Sequence, residues 1–174
     1  MYHSHVDDVR QQPAGLVGAM IVRDGPATVV TDDHEIFLKG ARDGPIGNNP
    51  LDIGGRANPD TIVVHAGRPA RLRLMNLTAV HPNVVVILTA RPDSAFANLR
   101  DTSMVRWLPV AKDGADLPSG ARVPRPALQV ISMGETYDFE FVPERRGQVL
   151  RLEVRTAGGR LGGVLLARVP VRVQ

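Results

Sequence analysis

The stretch Thr136-Tyr137-Asp138-Phe139-Glu140-Phe141 alternates ring-bearing side chains with acidic ones, so an extended backbone puts all three aromatics on one face. Earlier in the chain, Arg71-Leu72-Arg73-Leu74-Met75-Asn76-Leu77 repeats the pattern with leucines on one side and arginines on the other. A sustained period of two marks a strand with one buried and one outward face. Working outward from these two segments, branched or alternating runs predict further strands over residues 28–38, 61–65, 83–90, 104–110, 128–132, 149–155 and 164–173. Gly- and Pro-rich stretches over 39–59 and 113–126 read as loops, and Gly67, Gly147, Gly158-Gly159 and Gly162-Gly163 as turns. Roughly eight or nine short strands without a long helix predict an all-β antiparallel sandwich or barrel. Trp107, the one tryptophan, is expected as a core or rim anchor.

With 174 residues and 43% apolar content the chain can bury one good core. It has no cysteine, which excludes disulfides, thiolate zinc sites, thiol nucleophiles and a cysteine-ligated copper centre from its own side chains. Any metal must be held by nitrogen or oxygen. The net charge is only +3, and the basic pI comes from arginine, since Lys39 and Lys112 are the only lysines. Most arginines alternate with apolar residues, as in Arg151-Leu152-Glu153-Val154-Arg155, which reads as a solvated strand face and not as a nucleic-acid stripe. No apolar run approaches the ~20 residues of a membrane helix. The N-terminus lacks the regions of a signal peptide, so the sequence reads as soluble and without an export address.

Nucleophilic hydrolysis and nucleotide chemistry have no support, for there is no nucleophile elbow and no phosphate-cradling glycine loop. The candidate chemistry is metal binding at His3-Ser4-His5, whose spacing in a strand turns both imidazoles to one face. Asp7 and Asp8 are placed to orient those rings or to sit in a solvated loop. His34, His65 and His81 are solitary and read as packed or solvated polar residues. Asp32, Asp33 and Glu35 form an acidic cluster suited to a hard cation or to an exposed strand end. Residues 16–23 predict a buried strand closed by Asp24-Gly25-Pro26 and joined to the histidine segment by a polar loop over 7–14. Such a pair is marginal alone and needs a sheet that residues 1–25 do not supply, so it is expected to be disordered, to aggregate or to pair with another chain.

Tyr2-His3-Ser4-His5, followed by Gly15-Leu16-Val17-Gly18-Ala19-Met20-Ile21-Val22, resembles the end of the first cupredoxin domain of the laccase-like multicopper oxidases. Asn58-Pro59-Asp60, Gly67-Arg68-Pro69-Ala70-Arg71-Leu72-Arg73-Leu74-Met75-Asn76, Ala111-Lys112-Asp113-Gly114 and Ser132-Met133-Gly134-Glu135-Thr136-Tyr137-Asp138-Phe139 resemble the second domain of that family, in the family's order. The resemblance implies a cupredoxin-like Greek-key β-sandwich. It divides the chain into residues 1–25, the closing strands of a first domain, and residues 26–174, a second, plastocyanin-like domain. It also implies copper, with His3 and His5 each giving an imidazole to one copper of the paired, type 3 part of a three-copper cluster. The family oxidises phenols, amines or metal ions and reduces dioxygen to water. An earlier His-x-His segment and a cysteine-bearing third domain have no counterpart here, so the chain is expected to be inactive alone and to need the missing cupredoxin domains or another chain. Met1 then reads as an internal residue of a longer protein, and the family's usual location as periplasmic or secreted. Two other functions fit the same residues: a non-enzymatic cupredoxin-like binding module, and a simple copper-binding protein using the exposed pair.

Overall fold

The computed structural model describes residues 1–12, 14–22, 32–40, 51–54, 59–79, 81–90, 103–158 and 163–174. Outside the described residues lie the Asp24-Gly25-Pro26 turn, the start of the strand expected over 28–38, Asn48-Asn49-Pro50, Asn58, Gly159, Gly162 and the boundary expected between residues 25 and 26.

In chain order the elements are β1 (Tyr2–His3), α1 (Asp8–Gln11), β2 (Val17–Gly18), β3 (Asp33–Gly40), β4 (Leu51–Ile53), β5 (Ile62–Val64), β6 (Ala70–Leu77) and β7 (Asn83–Thr89). There follow β8 (Arg106–Lys112), β9 (Ala115–Asp116), β10 (Arg125–Pro126), β11 (Leu128–Ser132), β12 (Thr136–Phe141), β13 (Val149–Thr156) and β14 (Leu165–Val173). The larger sheet has the order β10-β8-β12-β6-β3-β4, with β9 against β8, and the second sheet has the order β11-β7-β13-β14-β5. The chain crosses between the sheets from β6 to β7, back to β8, and again from β11 to β12 and from β12 to β13. The result is an all-β sandwich.

The period-two reading explains what fills the sandwich. Leu72, Leu74, Phe139 and Phe141 point inward from the larger sheet and meet Val84, Val86, Leu88, Leu152 and Val154 of the second. Trp107 is buried in this core, stacked on Phe139 with ring centroids 4.0 Å apart. Strands β11 and β12 keep the predicted boundaries, and β12 lies antiparallel to β6 with Phe139 opposite Leu72.

Several expectations need correction: α1 lies in the polar loop expected over 7–14, and β9 and β10 lie in the loop expected over 113–126. The 39–59 stretch is not all loop, because Leu51 and Ile53 are apolar enough to be buried and pair as β4 with Gly40 and Leu38. Pairing is not wholly antiparallel: β3 runs parallel to β6, and β5 parallel to β14. Chain crossings between sheets bring those strands together from different passes, which a hairpin reading does not foresee. The run expected over 16–23 is not a buried strand over its described residues, 16–22. Only Val17–Gly18 pair, with β1, and Leu16, Met20 and Val22 are exposed while Val17 is buried.

The N-terminal pair also finds its cover within the chain. Val17 packs with Phe37 of β3 and with Met75 and Leu77 of β6, on the outward face of the larger sheet, and Met1 and Ala19 complete the cluster. This small second core supplies the cover that the strand pair lacks by itself.

Candidate metal centre

The described residues of 1–18 form a hook that docks on the larger sheet. His3 ends β1, and His5 lies in the bend that follows, so regular strand geometry does not align the two rings. They nevertheless meet, with centroids 4.3 Å apart and planes inclined at 39°. The hook is held by backbone bonds: the Ser4 amide donates to the Leu16 carbonyl (3.0 Å) and the Leu16 amide to the Gln11 carbonyl (2.9 Å). Ser4 Oγ donates to Gln11 Oε1, tying α1 to the residue between the histidines. Two glycines shape the hook. Gly15 turns the chain at φ +104°, open to glycine at little cost. Gly18 lies under the Tyr2 ring across the strand pair, where an added Cβ would come within 2.8 Å of Tyr2 Cε1.

His3 Nδ1 lies 2.9 Å from the Ser4 carbonyl oxygen and 3.0 Å from Gln12 Nε2. The Ser4 carbonyl accepts from a protonated Nδ1, whereas the Gln12 Nε2 amide donates to an unprotonated one, so Nδ1 serves one neighbour at a time. When it donates to the Ser4 carbonyl, the His3 Nε2 lone pair is left free, the arrangement in which imidazoles bind metals. Asp8, the first residue of α1, brings a carboxylate oxygen into the same group: ligand atoms of His3, His5 and Asp8 all lie within 4.8 Å of one another. Among the described residues this is the only cluster of three such groups, and His34, His65 and His81 take no part in it. Two imidazoles with a carboxylate suit copper and other borderline transition ions, so the donor set fits the metal the resemblance implies.

The other titratable groups form structural networks that the sequence reading took as surface. The outward face of β6 is not freely solvated. Arg73 donates to both oxygens of Asp33 (2.7 and 2.9 Å) and to Asp138 Oδ2 (2.6 Å), and Arg71 pairs with Glu140. Burial raises the Asp138 pKa against the opposing pull of Arg73 and Arg71, while the bond to Asp33 is the largest of the effects that raise Arg73. Across this network and the hook runs a cavity of about 790 Å³, lined by Arg71, Arg73 and Asp138 on one side and Met1, Met20 and Val22 on the other. Asp32 is likewise no exposed strand end. Its buried carboxylate accepts from the backbone amide (2.9 Å) and Nδ1 (2.8 Å) of His65, a partner 33 residues away. No spacing rule links such distant residues. The Asp8 contact, by contrast, had a local cue in sequence, an acidic residue three positions after His5.

The two imidazoles thus meet in a hook set against an all-β sandwich. No protein-family model matches the chain, and no curated protein matches it by sequence. Solved structures match it well in shape. A multicopper oxidase from Pseudomonas thermotolerans superposes with a TM-score of 0.66 at 20% identity, covering 99% of this chain and 40% of its own. The laccase-like multicopper oxidase CueO of the lignin-degrading bacterium Ochrobactrum sp. gives 0.57 at 21%, covering 82% and 31%. A further multicopper oxidase gives 0.54 at 15%, covering 86% and 45%. At these identities the likeness establishes the fold: the chain has the cupredoxin-like Greek-key β-sandwich of the multicopper oxidases. It spans less than half the length of each of these structures. Among the described residues no helix is long and apolar enough to cross a membrane.

Proposed function

We propose that this chain is part of a laccase-like multicopper oxidase, comprising the copper-bearing end of a first cupredoxin domain, residues 1–25, and a second cupredoxin domain, residues 26–174. The observation that carries the reading is the convergence of His3 and His5 in a hook braced on a cupredoxin-type sandwich. Copper, when bound, supplies one-electron oxidation of phenolic or metal-ion substrates coupled to reduction of dioxygen to water. The chain's own part is to hold ligands. The Ser4 carbonyl favours the His3 tautomer that frees Nε2 for a metal, and the Ser4–Gln11 bond fixes the loop that carries His5. Two histidines are too few for a three-copper cluster, so the remaining ligands come from further cupredoxin domains or another chain, and the chain alone does not turn over. Its setting is the periplasm or the exterior, as in the multicopper oxidases it resembles.

The test is copper content by elemental analysis together with oxidation of a phenolic dye. Copper bound to the chain but lost in His3→Ala and His5→Ala, with no dye turnover, is the expected result. Turnover by the chain alone would overturn the partial-site reading, and absence of copper binding would favour a metal-free binding module.

A further inference from the structure

We propose that Asp8 is a third ligand, and that His3, His5 and Asp8 together hold a single divalent transition-metal ion within this chain. The inference rests on the copper reading for His3 and His5 and changes what the pair does in the chain by itself: one shared ion, not one copper each. The geometry favours sharing. The two rings converge to a centroid separation of 4.3 Å, and α1 turns back so that its first residue closes the third side. Ligand atoms bound at ~2.0–2.2 Å to one ion stand at most about 4.4 Å apart. The three ligand atoms all lie within 4.8 Å of one another, so closing on one ion asks for a modest side-chain movement, and His5 and Asp8 are exposed.

The hook is already braced for this geometry. Gln11 binds Ser4 and Gln12 lies against His3, so the strand and the helix that carry the ligands are fixed relative to each other before an ion arrives. Preorganisation of this kind lowers the ordering cost of binding. Two imidazoles and one carboxylate leave coordination positions open to water, and this donor set takes Cu²⁺ more tightly than Zn²⁺, Ni²⁺ or Co²⁺. Asp7, the neighbouring acid, is outside the cluster, being 3.9 Å from Arg10 Nε. That makes it an internal control for simple charge attraction.

The experiment is calorimetric titration of the full chain with Cu²⁺ alone and with Zn²⁺ alone, paired with electron paramagnetic resonance of the Cu²⁺ form. One ion per chain is expected, tighter for Cu²⁺. Asp8→Asn should weaken binding tenfold or more and change the copper hyperfine pattern, Asp7→Asn should leave both within twofold, and His5→Ala should lose binding. Circular dichroism shows that each variant keeps its fold. Unchanged affinity and spectrum in Asp8→Asn, with binding still lost in His3→Ala and His5→Ala, would overturn the role of Asp8 and leave the copper reading standing. Binding retained in both His5→Ala and Asp8→Asn would overturn the shared site, as would two ions per chain. A wild-type chain that binds no copper would sink both readings.

Discussion

Val17 holds the histidine hook against the sandwich, and its truncation should release the hook without unfolding the core. Val17 is 9% exposed and touches Phe37, Met75 and Leu77. Val17→Ala removes two methyl-sized groups, worth about 0.8 kcal/mol each or about 1.6 kcal/mol in all. The site lies at the rim, where neighbours and solvent can close in, so the cavity contribution is small. A two-stranded pair is marginal by itself, so this loss acts almost entirely on the equilibrium between docked and released hook, shifting it roughly tenfold or slightly more. Arg10 reports the change. Its side chain is exposed, but its backbone is held in α1 by bonds from the Arg10 and Gln11 amides to the Asp7 carbonyl and from Ala14 to Arg10. Trypsin needs an extended segment and therefore cuts from the open state. Cleavage at Arg10 should accelerate about tenfold in Val17→Ala, by mass spectrometry of timed digests, with the β3–β14 body left intact. A cleavage rate at Arg10 equal to that of the unmodified chain would show that the hook does not depend on this contact.

Two further variants test the polar networks. Arg73→Met removes the principal partner of Asp138, whose carboxyl burial already pushes up, and should cost about 2–4 kcal/mol at neutral pH. With the folded-state pKa of Asp138 raised further above its unfolded value, that group's stability contribution is present below the unfolded pKa and is lost as pH rises. The deficit of Arg73→Met should thus shrink on going from pH 7 to pH 4.5 in chemical denaturation, and an equal deficit at both would refute the assignment. Asp32→Ala strips the His65 amide and Nδ1 of their acceptor and should cost about 1–3 kcal/mol, a drop of roughly 2–4 °C in Tm per kcal/mol, with Asp32→Asn losing less. A Tm unchanged in Asp32→Ala would mean that water replaces the carboxylate at no cost.

The sandwich was legible because burial writes a period of two into the chain. The leucines of β6 and the aromatics of β12 name the core face directly, and their boundaries follow from the turns around them. What stayed hidden depends on meetings between distant residues. Arg71 and Arg73 look like a wet face until Asp33, Asp138 and Glu140 from neighbouring strands are brought alongside, and Asp32 looks like a strand end until His65 covers it. The hook was half legible. The His-x-His spacing picked out the two rings that meet, but the strand geometry invoked for them stops at His3, and the convergence is produced by the bend and by α1. Docking of Val17 on Phe37 and Met75 was not readable, because an apolar residue on the outer side of a strand gives no sign of what covers it.

Docking and metal binding ought to be coupled, since the same hook carries both. An ion that binds only when β1, α1 and β2 are folded stabilises that state by RT ln(1 + [L]/Kd), about 2.7 kcal/mol at a hundredfold excess over Kd. This exceeds the roughly 1.6 kcal/mol that Val17→Ala removes. Copper at that excess should therefore bring Arg10 cleavage in Val17→Ala below the rate of the copper-free parent chain, and the rescue should vanish when His5→Ala is added. The comparison of magnitudes matters more than the direction. Were copper to bind Val17→Ala with unchanged affinity yet leave Arg10 cleavage fast, the ligands would assemble on a released hook. The packing of Val17 against β3 and β6 would then serve the sandwich and not the metal.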